Sequence, residues 1–172
     1  MADNRLCNKA AGKALATMLA GNTTLKEFDV SKNSYAGCDG PGFAQEFADG
    51  IRNNGALEKL LMGNNRIATK EAGKAIAEAM AHNSVLKELD LSSNNWDHSM
   101  FVGGDKGDGP GFAKELADGL KNNGALTSLN ISNNMLGGKY SDGSGGDAPY
   151  TAAGLKALCE MLQTNTDLHI AI

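Results

Sequence analysis

Carboxylate side chains recur at short intervals in two glycine-rich stretches of this 172-residue chain. Asp105 and Asp108 lie in the first stretch, and Asp142 and Asp147 lie in the second. Carboxylate oxygens at such spacings are the ligands that Ca²⁺ prefers in proteins. Neither stretch matches the EF-hand pattern, and neither supplies the bidentate acid that completes such a loop. We therefore expect no bound metal.

Residue types that often carry catalysis are scattered along the chain. His82, His98 and His169 have no cysteine or serine partner at a recognised catalytic spacing. No P-loop sequence occurs, and the segment GDGPGF at 107–112 reads as a loop that opens into a helix, not as a dinucleotide-binding turn. The sequence therefore predicts a protein that is not an enzyme and needs no cofactor.

Charge and cysteine content limit the class of partner and the compartment. The formal net charge is −4, and no run of lysine or arginine marks a nucleic-acid surface. Cys7, Cys38 and Cys159 are dispersed without a CxxC pair, which predicts small, buried or half-buried thiols in a reducing compartment. No secretory signal is apparent, and no segment approaches the roughly 20 apolar residues of a membrane span. We predict a cytoplasmic protein that binds neither nucleic acid nor membrane.

One phrase occurs twice, as GPGFAQEFADGIRNNGAL at 40–57 and as GPGFAKELADGLKNNGAL at 109–126. Each copy leads into the pattern LxxLxLxxNx followed by an apolar residue. The pattern occurs four times and begins at Leu25, Leu57, Leu86 and Leu126. Its last apolar slot holds Tyr35, Ile67, Trp96 and Leu136. Alternating apolar residues predict a short strand in each copy, with buried side chains that stack between copies.

The asparagine slot of the pattern is filled by Asn33, Asn65, Asn94 and Asn134. A side-chain amide both donates and accepts hydrogen bonds, so a buried asparagine can bond backbone groups of neighbouring turns. The sequence therefore predicts that these residues form a structural ladder.

A helix is predicted between successive strands. In the first copy of the phrase Phe43, Phe47 and Ile51 are spaced i, i+4 and i+8, which gives one apolar stripe facing a core. The sequence NNG follows at 53–55 and again at 122–124, and it predicts a left-handed glycine at the end of each helix.

These motifs resemble the leucine-rich repeat family. Successive strands begin 29 to 42 residues apart with a helix in each repeat, which is similar to the ribonuclease-inhibitor-like class that includes the tropomodulin C-terminal domain and the Ran GTPase activator. The resemblance implies an α/β solenoid, a short right-handed horseshoe with parallel strands on the concave face and helices on the convex face. It predicts a single domain over 1–172, with a capping helix within 1–24 that spans 5–21, repeats starting at 25, 57, 86 and 126, and a partial strand at 168–172.

A solenoid offers its strand face and its loops to partners, so we predict that the chain binds another protein there. Two outward columns of the strands are candidates: Glu27, Lys59, Glu88 and Ser128, then Asp29, Leu61, Asp90 and Asn130. Loop candidates in the third and fourth repeats are Asp97, His98, Met100, Phe101 and Tyr140. The strand face is mildly acidic, so a basic or mixed partner would suit it.

Several alternatives stay open. The strand face could be an ordinary solvated surface, and Met100 and Phe101 could fold beneath their own loop. The resemblance to the Ran activator implies an accessory of a small GTPase with Arg66 as its rim arginine, and the resemblance to tropomodulin implies an actin-binding domain. The last strand leaves an open edge, which predicts a truncated array, a short natural array, or a homodimer formed through that edge.

Overall fold

Helices and short strands alternate along the chain. The computed structural model describes residues 1–35, 37–95, 107–138 and 151–172. Within these ranges the helices are α1 (Lys9–Gly21), α2 (Gly40–Asn53), α3 (Lys70–His82), α4 (Gly109–Leu120) and α5 (Ala153–Leu162). The strands are β1 (Glu27–Asp29), β2 (Lys59–Leu61), β3 (Glu88–Asp90), β4 (Ser128–Asn130) and β5 (His169–Ala171).

The strands form one parallel sheet in chain order, β1-β2-β3-β4-β5. Equivalent residues of successive repeats are paired, so the middle positions make a single row of Phe28, Leu60, Leu89, Leu129 and Ile170. The first four of these side chains are buried, and Ile170 packs against the same core. The sheet and its alternating helices confirm the predicted α/β class.

The helices pack against one another in chain order and cover the buried side of the sheet. Phe43, Phe47 and Ile51 of α2 are buried as the apolar stripe predicted, and the rings of the two phenylalanines stack with centroids 5.5 Å apart. A Cβ atom at Gly50 would lie 2.6 Å from the Cα of Ala16, so glycine lets α2 approach α1 closely. Packed helices still lie about 8–10 Å apart, whereas strands lie about 4.8 Å apart. This mismatch bends the stack towards the sheet side.

The four pattern asparagines lie just after their strands and are buried. The backbone N–H of Asn33 donates to Oδ1 of Asn65 at 2.9 Å, that of Asn65 to Oδ1 of Asn94 at 2.6 Å, and that of Asn94 to Oδ1 of Asn134 at 2.7 Å. The Nδ2 groups of Asn65, Asn94 and Asn134 each donate to one carbonyl of their own repeat and one of the preceding repeat. We call this row the strand-side ladder. It joins neighbouring repeats through backbone groups that water does not reach.

A second row of asparagines, not predicted from the sequence, lies at the C-terminal ends of the helices. Oδ1 of Asn83 accepts from the N–H groups of Val85 and Leu86, and its Nδ2 donates to the carbonyls of Ile51 and Asn54 in the preceding repeat, at 2.7 and 3.1 Å. Equivalent residues repeat parts or all of this arrangement. We call the row the helix-side ladder; its members are Asn22, Asn54, Asn83, Asn123 and Asn165. Each stands three positions before the leucine that precedes a strand, a spacing visible in the sequence.

This second row corrects the predicted helix ends. Neither Gly55 nor Gly124 has the positive φ of a left-handed cap. Instead, Asn54 caps α2 in an extended conformation, with φ −83° and ψ 123°. Its Oδ1 accepts from the N–H groups of Ala56 and Leu57 at 2.9 and 2.7 Å. The chain therefore leaves the helix on an asparagine side chain, which makes a left-handed glycine unnecessary.

The N-terminal helix begins later than predicted. It was expected from residue 5, but α1 starts at Lys9, with the Asn8 side chain as its N-cap. The residues before it lie along the strand-side ladder, where the N–H groups of Asn4 and Leu6 donate to Oδ1 of Asn33 at 2.7 and 3.3 Å. They supply the donors that a preceding repeat would supply, and this role is incompatible with a helix there.

The residue before each strand-side asparagine adopts a left-handed backbone. These residues are Lys32, Asn64, Ser93 and Asn133, with φ between 55° and 58°. Asparagine tolerates this conformation because its short amide can bond locally, whereas other side chains are strained there. Ser93 and Lys32 are therefore less suitable for their positions than the two asparagines.

We expect Ser93→Asn to raise the free energy of unfolding by about 0.5 kcal/mol, because it relieves left-handed strain at an exposed position. Urea denaturation monitored by circular dichroism measures the change. Ser93→Val is the control and should be destabilised, since a β-branched residue suits this conformation worst. Equal stability of the two variants would contradict the assignment of strain.

Asn94→Ala is expected to lower the free energy of unfolding by about 1–3 kcal/mol, because it leaves buried backbone groups of two repeats without partners. Thermal denaturation and urea titration measure the loss. A melting temperature equal to that of the wild type would refute the contribution of the strand-side ladder to stability.

Two neighbouring asparagines at the end of α2 test the helix-side ladder with a matched control. Asn54 is 4% exposed and bonds the preceding repeat, whereas Asn53 is exposed and bonds only its own helix. We expect Asn54→Ala to cost about 1–3 kcal/mol of unfolding free energy, and Asn53→Ala to cost less than about 0.5 kcal/mol. Similar losses in the two variants would rule out the ladder as the cause.

Candidate functional site

The outward side of the sheet brings the predicted strand residues together. Register aligns the first strand positions in one row and the third positions in another. We define the strand-face patch as the residues Glu27, Asp29, Lys59, Leu61, Glu88, Asp90, Ser128 and Asn130. All of them are exposed or half-buried, and His169 and Ala171 of β5 extend the two rows.

Lys59 occupies the middle of an acidic frame. Its Nζ lies 3.6 Å from Oε1 of Glu27 and 3.5 Å from Oε2 of Glu88. These carboxylates, Glu27 first, raise the pKa of the Lys59 ammonium. With Asp29 and Asp90 the frame has four carboxylates to one ammonium. Exposed ion pairs of this kind contribute little to stability, so a partner's charged groups can exchange with them at low cost.

Three patch residues also have a structural role. Oδ1 of Asp29, Asp90 and Asn130 accepts the N–H of the residue two positions further on, at 2.8, 2.8 and 3.1 Å. Hydrogen bonds from the side chain and backbone of Ser31 lower the pKa of Asp29. These side chains therefore end their strands in tight turns, and only their remaining polar atoms are available to a partner.

The second repeat departs from this arrangement. Leu61 takes the slot between Asp29 and Asp90 in the register, yet it has no polar group to close a turn. It is half-buried on the same face as Lys59, two positions earlier on β2. Single apolar residues are common on surfaces, so exposure alone carries no argument. The position of Leu61 at the middle of a charged face, in a slot where three other repeats place a polar side chain, makes it a candidate contact residue.

Other predicted site residues fall outside the part of the chain that the structure describes. They are the loop residues Asp97, His98, Met100, Phe101 and Tyr140, together with Trp96 and the aspartates at 105, 142 and 147. Their roles stay predictions. Within the described ranges, no group of three or more histidine, cysteine or acidic side chains could hold a metal ion. No described helix has the length and apolar character that crossing a membrane requires.

Arg66 lies at a different place from the patch residues. It is half-buried directly after Asn65, and its charge favours the thiolate forms of Cys7 and Cys38. Residue spacing predicts separate small thiols at Cys7 and Cys38, but the fold brings the two segments together: the N–H of Asp39, next to Cys38, donates to the carbonyl oxygen of Cys7 at 3.0 Å. No sequence spacing predicts this, because the two lie on segments that meet only in the folded chain.

Comparisons with known proteins bear on the fold. No family model and no curated protein sequence matches the chain. Among solved structures, "Leiomodin-1 Actin-Binding Site 2 (ABS2)" is similar, with a TM-score of 0.61 and 20% sequence identity over 96% of this chain and 78% of that one. At this identity the likeness concerns the fold alone. Together with the parallel sheet and the helix in each repeat, it identifies the fold as an α/β solenoid of the leucine-rich-repeat type.

Proposed function

We propose that this chain is a non-enzymatic protein-binding module whose partner contacts the strand-face patch. The proposal rests mainly on one observation: Lys59 and Leu61 stand side by side on β2 within a frame of four carboxylates. The similarity to a domain whose title names it an actin-binding site supports a role in protein binding.

The charges of the patch favour a partner surface that is basic or mixed. Four carboxylates and one ammonium give the patch a formal charge of −3, since Glu27, Asp29, Glu88 and Asp90 outnumber Lys59. Such a field attracts a basic surface and raises its association rate. A cation of the partner can replace Lys59 beside Glu27 or Glu88, which frees Lys59 to pair with a partner carboxylate.

Leu61 supplies the apolar part of the contact. Complete burial of an exposed leucine side chain contributes about 1.5–3 kcal/mol. Because Leu61 is already half-buried in the free chain, a partner that covers it gains only part of this free energy. Protein interfaces commonly have an apolar core surrounded by a polar rim. We therefore expect Leu61 to contribute more to affinity than any single charge around it.

Actin is the first partner to test, because the similar solved domain is an actin-binding site. Regulation of a small GTPase through Arg66 is a weaker alternative, since Arg66 is half-buried beside two thiols and is not a member of the patch. Pairing of a second copy with the outer edge of β5 stays a prediction.

The test is binding of the purified chain to actin monomers and filaments, together with affinity capture from cell extract. We expect Leu61→Asp to weaken binding at least tenfold, because it places a charge where an apolar contact forms. Leu155→Asp on α5 is the matched control: Leu155 is 36% exposed and lies on the helix side, so binding should not change.

Each outcome separates the hypotheses. Binding to another captured protein that depends on Leu61, with no binding to actin, would keep the module and exclude actin. Binding that survives Leu61→Asp and fails in Leu155→Asp would move the site to the helices. Capture of the same proteins by wild type and both variants would overturn the proposed patch.

A further inference from the structure

Two cysteines meet where the N-terminal segment passes the start of α2. The N–H of Asp39 donates to the carbonyl oxygen of Cys7 at 3.0 Å, so Cys7 lies beside Cys38, the residue before Asp39. Both are free thiols, and each shifts the pKa of the other. Close approach of the two backbones is the first geometric requirement of a disulfide.

The two sulfurs differ in access to solvent. Cys7 is 0% exposed, and its Sγ lies 2.8 Å from the carbonyl oxygen of Asn65. Cys38 is only half-buried, so a small oxidant reaches it first. Cys159, the third cysteine, lies on α5 and is exposed, so the predicted burial is wrong for this residue.

The surroundings of Cys38 favour its reactive form. The hydrogen bond from the Cys7 thiol is the main cause that lowers the pKa of Cys38 to about 6, and the charge of Arg66 contributes in the same direction. The contact with Cys38 and burial both raise the pKa of Cys7. The single Cys7 proton serves one acceptor at a time, and an ionised Cys38 sulfur is a stronger acceptor than the Asn65 carbonyl. Cys38 is therefore the nucleophile, and Cys7 retains its proton.

We propose that Cys7 and Cys38 are a redox site that a hydroperoxide converts to a reversible disulfide, which fastens the N-terminal segment to the start of α2. In the first step the Cys38 thiolate attacks a peroxide oxygen, the O–O bond breaks and hydroxide leaves, which oxidises Cys38 to a sulfenic acid. In the second step the Cys7 sulfur attacks the Cys38 sulfur. The S–S bond forms, the S–O bond breaks, and the hydroxyl leaves as water with the Cys7 proton. A cellular thiol can reverse the reaction by exchange.

The bond would tie down the segment that completes the strand-side ladder. Asn4 and Leu6, which donate to Asn33, lie immediately before Cys7. A disulfide between Cys7 and Cys38 closes a loop that contains β1 and α1, and it restricts the unfolded chain. Oxidation would therefore stabilise this end of the solenoid. A reversible disulfide of this kind is compatible with the reducing compartment that the sequence predicts.

Hydrogen peroxide added to the reduced full-length protein tests the proposal. We expect a cross-linked pair of peptides, lighter than the two reduced peptides by two hydrogen atoms, that contains Cys7 and Cys38. A thiol reductant should restore both thiols, and the oxidised form should melt at a higher temperature than the reduced form. Before oxidation, iodoacetamide should modify Cys38 faster than the exposed Cys159, with a rate that rises around pH 6.

Three variants make the test specific. Cys159→Ser should form the same cross-link. Cys7→Ala should stop at the Cys38 sulfenic acid, which dimedone captures. If Cys7→Ala fails to fold, Cys38→Ser at the half-exposed position still tests whether Cys38 is the residue that reacts with peroxide. This variant should leave Cys7 reduced under the same treatment. The proposal would be overturned if wild-type Cys38 were oxidised to sulfinic acid without the cross-link, or if peroxide consumed Cys159 before Cys38.

Discussion

Buried asparagine amides hold this protein together. Each strand is only three residues long, so strand pairing satisfies few of the backbone groups that the repeats bury. The strand-side ladder satisfies those that follow each strand, and the helix-side ladder satisfies those between each helix and the next strand. An amide suits both positions because it donates and accepts at once. Every repeat is thus bonded to its neighbour on both flanks of the apolar core.

Because these contacts lie inside the protein, the outward residues of the strands can differ from one repeat to the next. The row of middle strand residues, from Phe28 to Ile170, and the two asparagine ladders determine how the repeats stack. The outward positions of the strands do not. Three outward residues, Asp29, Asp90 and Asn130, also have a structural role, because each accepts a backbone N–H in the turn after its strand. Leu61 has no such structural role. The proposed function therefore depends on the second repeat, which places Leu61 where the first, third and fourth repeats place a polar residue.

The ends of a repeat array have no neighbour to complete them, and this chain meets the need at β1 with an irregular segment. The N–H groups of Asn4 and Leu6 replace those of a missing repeat at Asn33. The same segment carries Cys7 to Cys38 at the start of α2. If the two thiols form the proposed disulfide, the redox state of the pair would determine how firmly this end is held.

The sequence alone was sufficient for the α/β class, the parallel strands, the buried stripe of α2 and the residues that share the strand face. The buried stripe and the shared strand face follow from local periodicity, which can be read without coordinates. The α/β class and the parallel strands were implied by the resemblance to leucine-rich repeats. The sequence also contains the pattern of the helix-side ladder, an asparagine three positions before a leucine in every repeat. NNG was instead interpreted as a glycine cap, so the ladder was not predicted. Tertiary structure alone decided the start of α1 and the meeting of Cys7 with Cys38. Each of these depends on contacts between segments distant in sequence, and residue spacing along the chain carries no record of such contacts.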